Sequence, residues 1–62
     1  MIEIGKTYKI EGDETLLVGK VFEINEVEGG LDVFVICTLT GDEYGICTKD
    51  AKFTEGAVER KK

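Results

Sequence analysis

Histidine, serine, proline and tryptophan are all missing from this chain of 62 residues. Without histidine or serine the sequence offers no imidazole base and no serine nucleophile, which excludes Ser-His and Cys-His catalytic arrangements. The two cysteines, Cys37 and Cys47, are too few to close a structural zinc site without histidine. We therefore expect a protein that is not an enzyme and that has no catalytic residue, cofactor or metal site.

Long apolar runs and a secretory signal are also lacking. No apolar run approaches the roughly 20 residues that a membrane span needs. Residues 1–6 lack the basic head and apolar stretch of a signal peptide. Two cysteines are fewer than small secreted domains usually carry. These absences predict a cytoplasmic protein with no membrane partner.

Basic residues are scarce outside the last three positions. The chain has 8 Lys and Arg residues against 13 Asp and Glu residues, a formal net charge of −5. Residues 1–59 hold five basic and thirteen acidic side chains, a net charge of −8. An acidic body repels phosphate, which disfavours nucleic-acid binding. The charge favours solubility, or the steering of a basic partner towards the surface.

Glycine-rich turn signals divide the chain into short runs of β-branched and aromatic residues. No window of a dozen residues shows the apolar spacing of a helix. We predict one small β domain over residues 1–55 and a short C-terminal tail over residues 56–62. The predicted strands are approximately Thr7–Ile10, Leu17–Val27, Leu31–Leu39, Glu43–Cys47 and Ala51–Thr54.

Two glycine-containing turns predict the register of the central strands. If Gly29-Gly30 and Gly41-Asp42 are both two-residue hairpin turns, opposed residues share a face of the sheet. The first turn then places Ile24 opposite Val35, and the second places Cys37 opposite Ile46. Both turns agree on one apolar face, made of Phe22, Ile24, Val33, Val35, Cys37, Leu39, Tyr44 and Ile46.

The same register predicts a second apolar patch on the opposite face. This patch holds the residues that we predict to bind a partner: Val21, Phe34, Ile36 and Cys47. Because the two cysteines then point to opposite sides of adjacent strands, disulfide geometry is excluded and two free thiols are expected. The alternative is that the chain ends cover the patch with apolar residues, namely Met1, Ile2, Ile4, Phe53, Ala57 and Val58.

A short first strand precedes a three-stranded meander, whose last strand carries a Gly-x-x-Tyr segment at Gly41–Tyr44. A short turn, residues 48–50, leads to a closing strand. The order of these elements resembles an SH3-like small β-barrel over roughly residues 5–55. The resemblance implies an all-β fold of five antiparallel strands, as an SH3-like barrel or a strongly bent sheet with a central three-stranded meander. Because the chain lacks tryptophan and its predicted register turns Phe22 and Tyr44 inward, polyproline binding is not carried over.

These observations predict a small cytoplasmic protein-interaction module, such as a binding, accessory or inhibitor protein. Association with a second copy through the face of Phe34 and Ile36 is included in this prediction. The alternative is a nucleic-acid-associated accessory domain of the SH3-like type that uses Lys6, Lys9, Lys20 and the basic tail. The acidic loop Glu11–Glu14 is predicted to be a solvated turn, since its carboxylates lack the spacing of a calcium-binding loop.

Overall fold

Five antiparallel strands form a single sheet in the computed structural model, which describes residues 2–55. The strands are β1 (Thr7–Gly12), β2 (Leu16–Val27), β3 (Gly30–Cys37), β4 (Glu43–Cys47) and β5 (Ala51–Glu55). No helix occurs within the described range. The prediction of an all-β, strongly bent sheet is confirmed, and the sheet is not closed into a barrel. The predicted C-terminal tail lies outside the described residues.

The bend of the sheet follows from its strand order. The order is β4-β3-β2-β1-β5, so β4 and β5 are the two edges of the sheet. Flat neighbouring strands lie about 4.8 Å apart, which would separate the two edges by about 19 Å. However, only residues 48–50 connect β4 to β5, and the amide of Asp50 donates a hydrogen bond of 2.9 Å to the carbonyl of Cys47. Since a turn of this kind brings its ends within about 7 Å, the sheet has to curl.

The core lies on one face of the curled sheet, which we call the inner face. Its buried side chains are Tyr8, Ile10, Val21, Val33 and Val35. A second group of apolar side chains is partly buried against them: Ile2, Leu17, Ile24, Leu31, Ile46, Ala51 and Phe53. The Tyr8 and Phe53 rings meet edge to face, with centroids 6.3 Å apart. Side chains from all five strands therefore stabilise one small core.

The turn between β2 and β3 lies one residue earlier than predicted. Val27 is opposite Gly30, so the turn residues are Glu28 and Gly29 and not the glycine pair. Gly29 has a φ of +85°, a backbone conformation that glycine adopts without steric cost. Ile24 therefore faces Val33 rather than Val35. Because this displacement is two residues, an even number, Ile24 keeps its predicted face.

A β-bulge at Phe22 reverses the predicted faces of Phe22 and of the residues that precede it on β2. Val21 is opposite Val35 and Glu23 is opposite Phe34, so Phe22 is the extra residue. Val21 is only 1% exposed in the core, whereas 39% of Phe22 is exposed. The prediction that Phe22 is a core residue and Val21 a surface residue is therefore wrong.

The connection between β3 and β4 is also longer than predicted. Cys37 and Asp42 close a four-residue loop, residues 38–41, in place of the predicted two-residue turn at Gly41-Asp42. The amide of Gly41 donates to the carbonyl of Cys37 at 2.8 Å, and the amide of Cys37 donates to the carbonyl of Asp42 at 2.8 Å. Ile46 consequently lies opposite Val33, still on the inner face. Leu39 is part of the loop and is 89% exposed, which corrects its predicted place in the core.

Candidate protein-binding face

Three apolar side chains share the outer face, opposite the core. Phe34 and Ile36 alternate along β3 with the buried Val33 and Val35, and the bulge adds Phe22 from β2. The ring centroids of Phe22 and Phe34 are 6.4 Å apart, with an interplanar angle of 51°. Phe22 and Ile36 are each 39% exposed. We call Phe22, Phe34 and Ile36 the outer patch.

Phe34 also has a structural contact within the sheet. Gly45 is its partner on the edge strand β4. A Cβ atom added at Gly45 would lie 2.9 Å from Cε2 of Phe34, so the ring lies directly against the glycine. An aromatic ring that covers a glycine on an edge strand stabilises that strand. Phe34 thus contributes to both the fold and the outer patch, whereas the more exposed Ile36 serves as a cleaner probe of the surface.

The structure brings together three of the four residues predicted to bind a partner, and the binding itself stays a prediction. Phe34, Ile36 and Cys47 all belong to the outer face, although Cys47 lies opposite Asp32 and not beside Ile36 as predicted. Val21 is buried in the core and is removed from the candidate surface. Phe22, which the sequence pattern assigned to the core, takes its place.

The two cysteines are free thiols, as predicted. Cys37 is buried and Cys47 is half-buried. The pKa of the Cys37 thiol is held below its ordinary value by hydrogen bonds, first from the Thr40 hydroxyl and then from the Thr40 and Leu39 amides. Only 8% of Cys37 is exposed, so the fold encloses this sulfur instead of presenting it to a substrate.

Carboxylates surround the outer patch on several sides. Glu43 on β4 and Lys20 on β2 are the two partners of Ile36. Glu23 is the β2 partner of Phe34, and Asp32 precedes Phe34 by two residues on the same face of β3. The strand register therefore places three carboxylates and one ammonium group around the patch. Within residues 2–55, none of these four charged groups forms an ion pair.

The described parts of the chain ends do not cover the outer patch. Ile2 and Phe53 pack against the core, on the inner face. Ile4 remains 63% exposed. Of the residues expected to cover the patch, Met1, Ala57 and Val58 lie outside the described range.

Two of the lysines available for nucleic-acid binding already contact carboxylates. Nζ of Lys6 lies 2.7 Å from Oε2 of Glu55 and 3.7 Å from Oε1 of Glu3. The hydrogen bond and charge of Glu55 raise the pKa of Lys6, and the same contact lowers the pKa of Glu55. Nζ of Lys9 lies 4.0 Å from Oε2 of Glu11. These contacts reduce the positive potential that β1 offers to a phosphate.

We predict that the Lys6–Glu55 contact contributes a small stability increment that depends on pH. Because the pKa of folded Glu55 is lowered, the increment is present above the ordinary carboxyl pKa and is lost as the pH falls through the lowered value. Because the pKa of folded Lys6 is raised, the increment is full below the ordinary lysine pKa and is lost as the pH rises through the raised value. Both side chains are about half exposed, so salt should weaken the contact.

The measurement is a double-mutant cycle of Lys6→Met and Glu55→Gln, followed by urea unfolding. The coupling free energy should be small and favourable at pH 7 and should vanish near pH 2. In a control cycle, Lys6→Met is combined with Glu14→Gln instead of Glu55→Gln. Glu14→Gln removes an exposed carboxylate from the β1–β2 loop. A coupling that stays constant between these two pH values would contradict the assignment.

Neither a metal centre nor a membrane span is found in the described part of the chain. No group of three or more His, Cys, Asp or Glu side chains among residues 2–55 is placed to hold a metal ion. The acidic loop Glu11–Glu14 borders an open depression on the surface. No helix within this range is long and apolar enough to cross a membrane.

Comparisons with family models, with curated proteins and with solved structures find no match to this chain. The class of molecule is therefore defined by its own architecture, a small open five-stranded antiparallel sheet with an apolar patch on its outer face.

Proposed function

We propose that this chain is a small non-enzymatic module that binds a protein partner through the outer patch. The observation that carries the proposal is the Phe22–Phe34 ring pair beside Ile36, which exposes apolar surface on the face opposite the core. Aromatic side chains on a surface provide much of the binding energy at protein interfaces. A domain this small needs most of its apolar surface for its core, so an exposed aromatic pair indicates an interaction surface.

The finer description that we propose is a cytoplasmic accessory or inhibitor protein with an SH3-like fold. The four-stranded meander, the short connection between β4 and β5, and the pairing of β5 with β1 support the fold resemblance. The absence of histidine and serine supports a binding role over catalysis. Because fold does not determine function, the outer patch carries the functional proposal and the resemblance does not.

A different protein is favoured over a second copy as the partner. A symmetric dimer formed through the outer patch would bring the same three carboxylates of each copy together. Like charges that meet across an interface oppose association. The net charge of −5 on each chain adds to this repulsion at low salt. Self-association through this face, although predicted from the sequence, is therefore the less favoured case.

Nucleic acid is likewise a less favoured partner than protein. Lys6 and Lys9 contact carboxylates, and Lys20 shares the outer face with Glu23 and Glu43. Exposed aromatic rings could stack on bases only within a groove that attracts the phosphate backbone. The outer patch is instead surrounded mainly by negative charge.

We predict that Ile36→Asp abolishes partner binding while the protein stays folded. Ile36 is exposed on the outer face, so a carboxylate there is solvated, but it places a charge within the apolar outer patch. The wild type, Ile36→Asp and the control Leu39→Asp would each be used to capture cross-linked proteins from the source cell. Leu39→Asp introduces the same charge in the β3–β4 loop, outside the outer patch.

The expected result is a protein that the wild type and Leu39→Asp retain and Ile36→Asp loses. Circular dichroism and urea unfolding would verify that all three chains are folded. Equal recovery of the same proteins by all three chains would overturn the proposal. If sedimentation showed a wild-type dimer that Ile36→Asp dissociates, the foreign partner would be replaced by a second copy.

A further inference from the structure

We infer that the ligand of the outer patch is a basic segment of the partner protein, in which arginine or lysine accompanies an apolar side chain. This inference rests on the proposed function and adds the chemistry of the ligand. The geometry points to it because the outer patch combines aromatic rings with carboxylates on the neighbouring strands that form no ion pair within residues 2–55.

The aromatic part of the patch suits a cation as well as an apolar group. Phe22 and Phe34 are tilted by 51°, and 39% of Phe22 remains exposed. The face of a phenyl ring attracts a guanidinium or ammonium group that approaches within about 6 Å of its centroid. The neighbouring side chain of Ile36 offers a contact for an aliphatic residue of the same segment. The patch can therefore hold one charged and one apolar side chain at once.

The carboxylates lie where such a segment would place its charges. Glu23 on β2 and Glu43 on β4 border the patch from opposite sides, and Asp32 borders it at one end of β3. Glu23 Oε2 accepts a hydrogen bond of 2.9 Å from Nδ2 of Asn25, two residues further along the same strand. A carboxylate accepts charge-assisted hydrogen bonds from arginine, often two in parallel. Basic residues of the segment can therefore contact Glu23 on one side of the outer patch and Glu43 on the other.

An acidic segment fits the same surface poorly. Among the described charged residues around the patch, only Lys20 would attract it, whereas Glu23, Asp32 and Glu43 would repel it. Electrostatic complementarity of this kind selects between partners and accelerates their encounter. The overall charge of the chain acts in the same direction, since an acidic body attracts basic proteins over a longer range at low salt. The local and global charges of the molecule therefore favour one class of ligand.

The test is an amide chemical-shift titration with two capped peptides of equal length, Ala-Arg-Leu-Arg-Ala and Ala-Glu-Leu-Glu-Ala. We expect the arginine peptide, but not the glutamate peptide, to shift the amide signals of Phe34, Ile36 and their strand neighbours at low salt. The shifts should decline as salt is added. The Glu23→Gln/Glu43→Gln double variant should bind the arginine peptide roughly threefold or more weakly than the wild type.

A control variant with the same change in net charge separates local recognition from general attraction. Asp13→Asn/Glu14→Gln removes two carboxylates from the β1–β2 loop, away from the outer patch, and should leave the affinity for the arginine peptide nearly unchanged. Three results would overturn the inference: shifts centred on the loop, equal weakening by the two double variants, or no preference for arginine. One of these results could occur while Ile36→Asp still fails to capture the protein that the wild type retains. The proposed function would then stand, and only the chemistry assigned to its ligand would be wrong.

Discussion

Val21→Asp is expected to unfold the protein, whereas Phe22→Asp, one position later, is expected to leave it folded. Val21 is 1% exposed within the core, where a carboxylate would have neither water nor a positive partner. Such a change costs more than about 4 kcal/mol. A chain of this size has a total stability of only about 3–9 kcal/mol. Phe22 is 39% exposed on the outer face, so an aspartate there remains solvated.

Far-ultraviolet circular dichroism and urea unfolding of the two variants would measure this difference. The adjacent positions receive the same side chain and the same charge, so each variant is the control for the other. Unfolding of Phe22→Asp together with a cooperative transition for Val21→Asp would place the bulge elsewhere in β2 and would contradict the register described above. A stable Phe22→Asp variant would also provide a second chain for the partner-capture experiment.

The existence of the five strands could be predicted because each is a short β-branched or aromatic run between turn residues. The alternation on β3 was equally clear, since Val33 and Val35 share one face whatever turn precedes them. The positions of the turns were less clear. A glycine pair permits a turn at either residue, and Gly41 closes a four-residue loop as readily as it begins a two-residue turn. Both register errors were even-numbered, so the faces of β3 and β4 were still predicted correctly.

The bulge on β2 could not be located from the alternation of apolar residues. Val21, Phe22 and Ile24 are all apolar, and period-2 spacing groups Phe22 with Ile24. One signal in the sequence did point to an irregularity, namely Gly19 within a long strand. A Cβ atom added there would lie 2.8 Å from Cγ2 of Val35, so Gly19 belongs to the crowded inner face. Had Gly19 been assigned to the core, Val21 would have followed it inward.

The candidate site was predicted only in part for the same physical reason. Phe34 and Ile36 could be found because they alternate with core residues on a regular strand. Phe22 reaches the outer face only through the bulge. The carboxylates beside the patch depend on which residue of β2 and of β4 lies opposite Ile36, and this register was mispredicted on both sides. Local alternation therefore predicts the centre of the patch and which charged residues share its face, whereas the charged residues that lie directly opposite Ile36 require the observed pairing.

Ile10→Ala is expected to remove a large part of the stability of the fold. Ile10 is fully buried on β1, opposite Leu17 on one side and Phe53 on the other. Its truncation removes buried methyl groups and leaves a cavity, a change that costs about 2–5 kcal/mol. The loss is comparable with the total stability of about 3–9 kcal/mol expected for this length. Thermal unfolding followed by circular dichroism should show a midpoint lowered by about 10 °C or more.

Ile4→Ala is the matched control, because the same atoms are removed from a side chain that is 63% exposed. Its effect should stay within about 0.5 kcal/mol, as for other surface substitutions. Equal destabilisation by the two substitutions would show that β1 does not hold the core together in the way the structure indicates. A large loss for Ile10→Ala alone would confirm that the buried face of β1 is packed into the core. The outer patch would then rest on a fold whose stability comes from the opposite face, where Ile36→Asp or Phe22→Asp introduces no change.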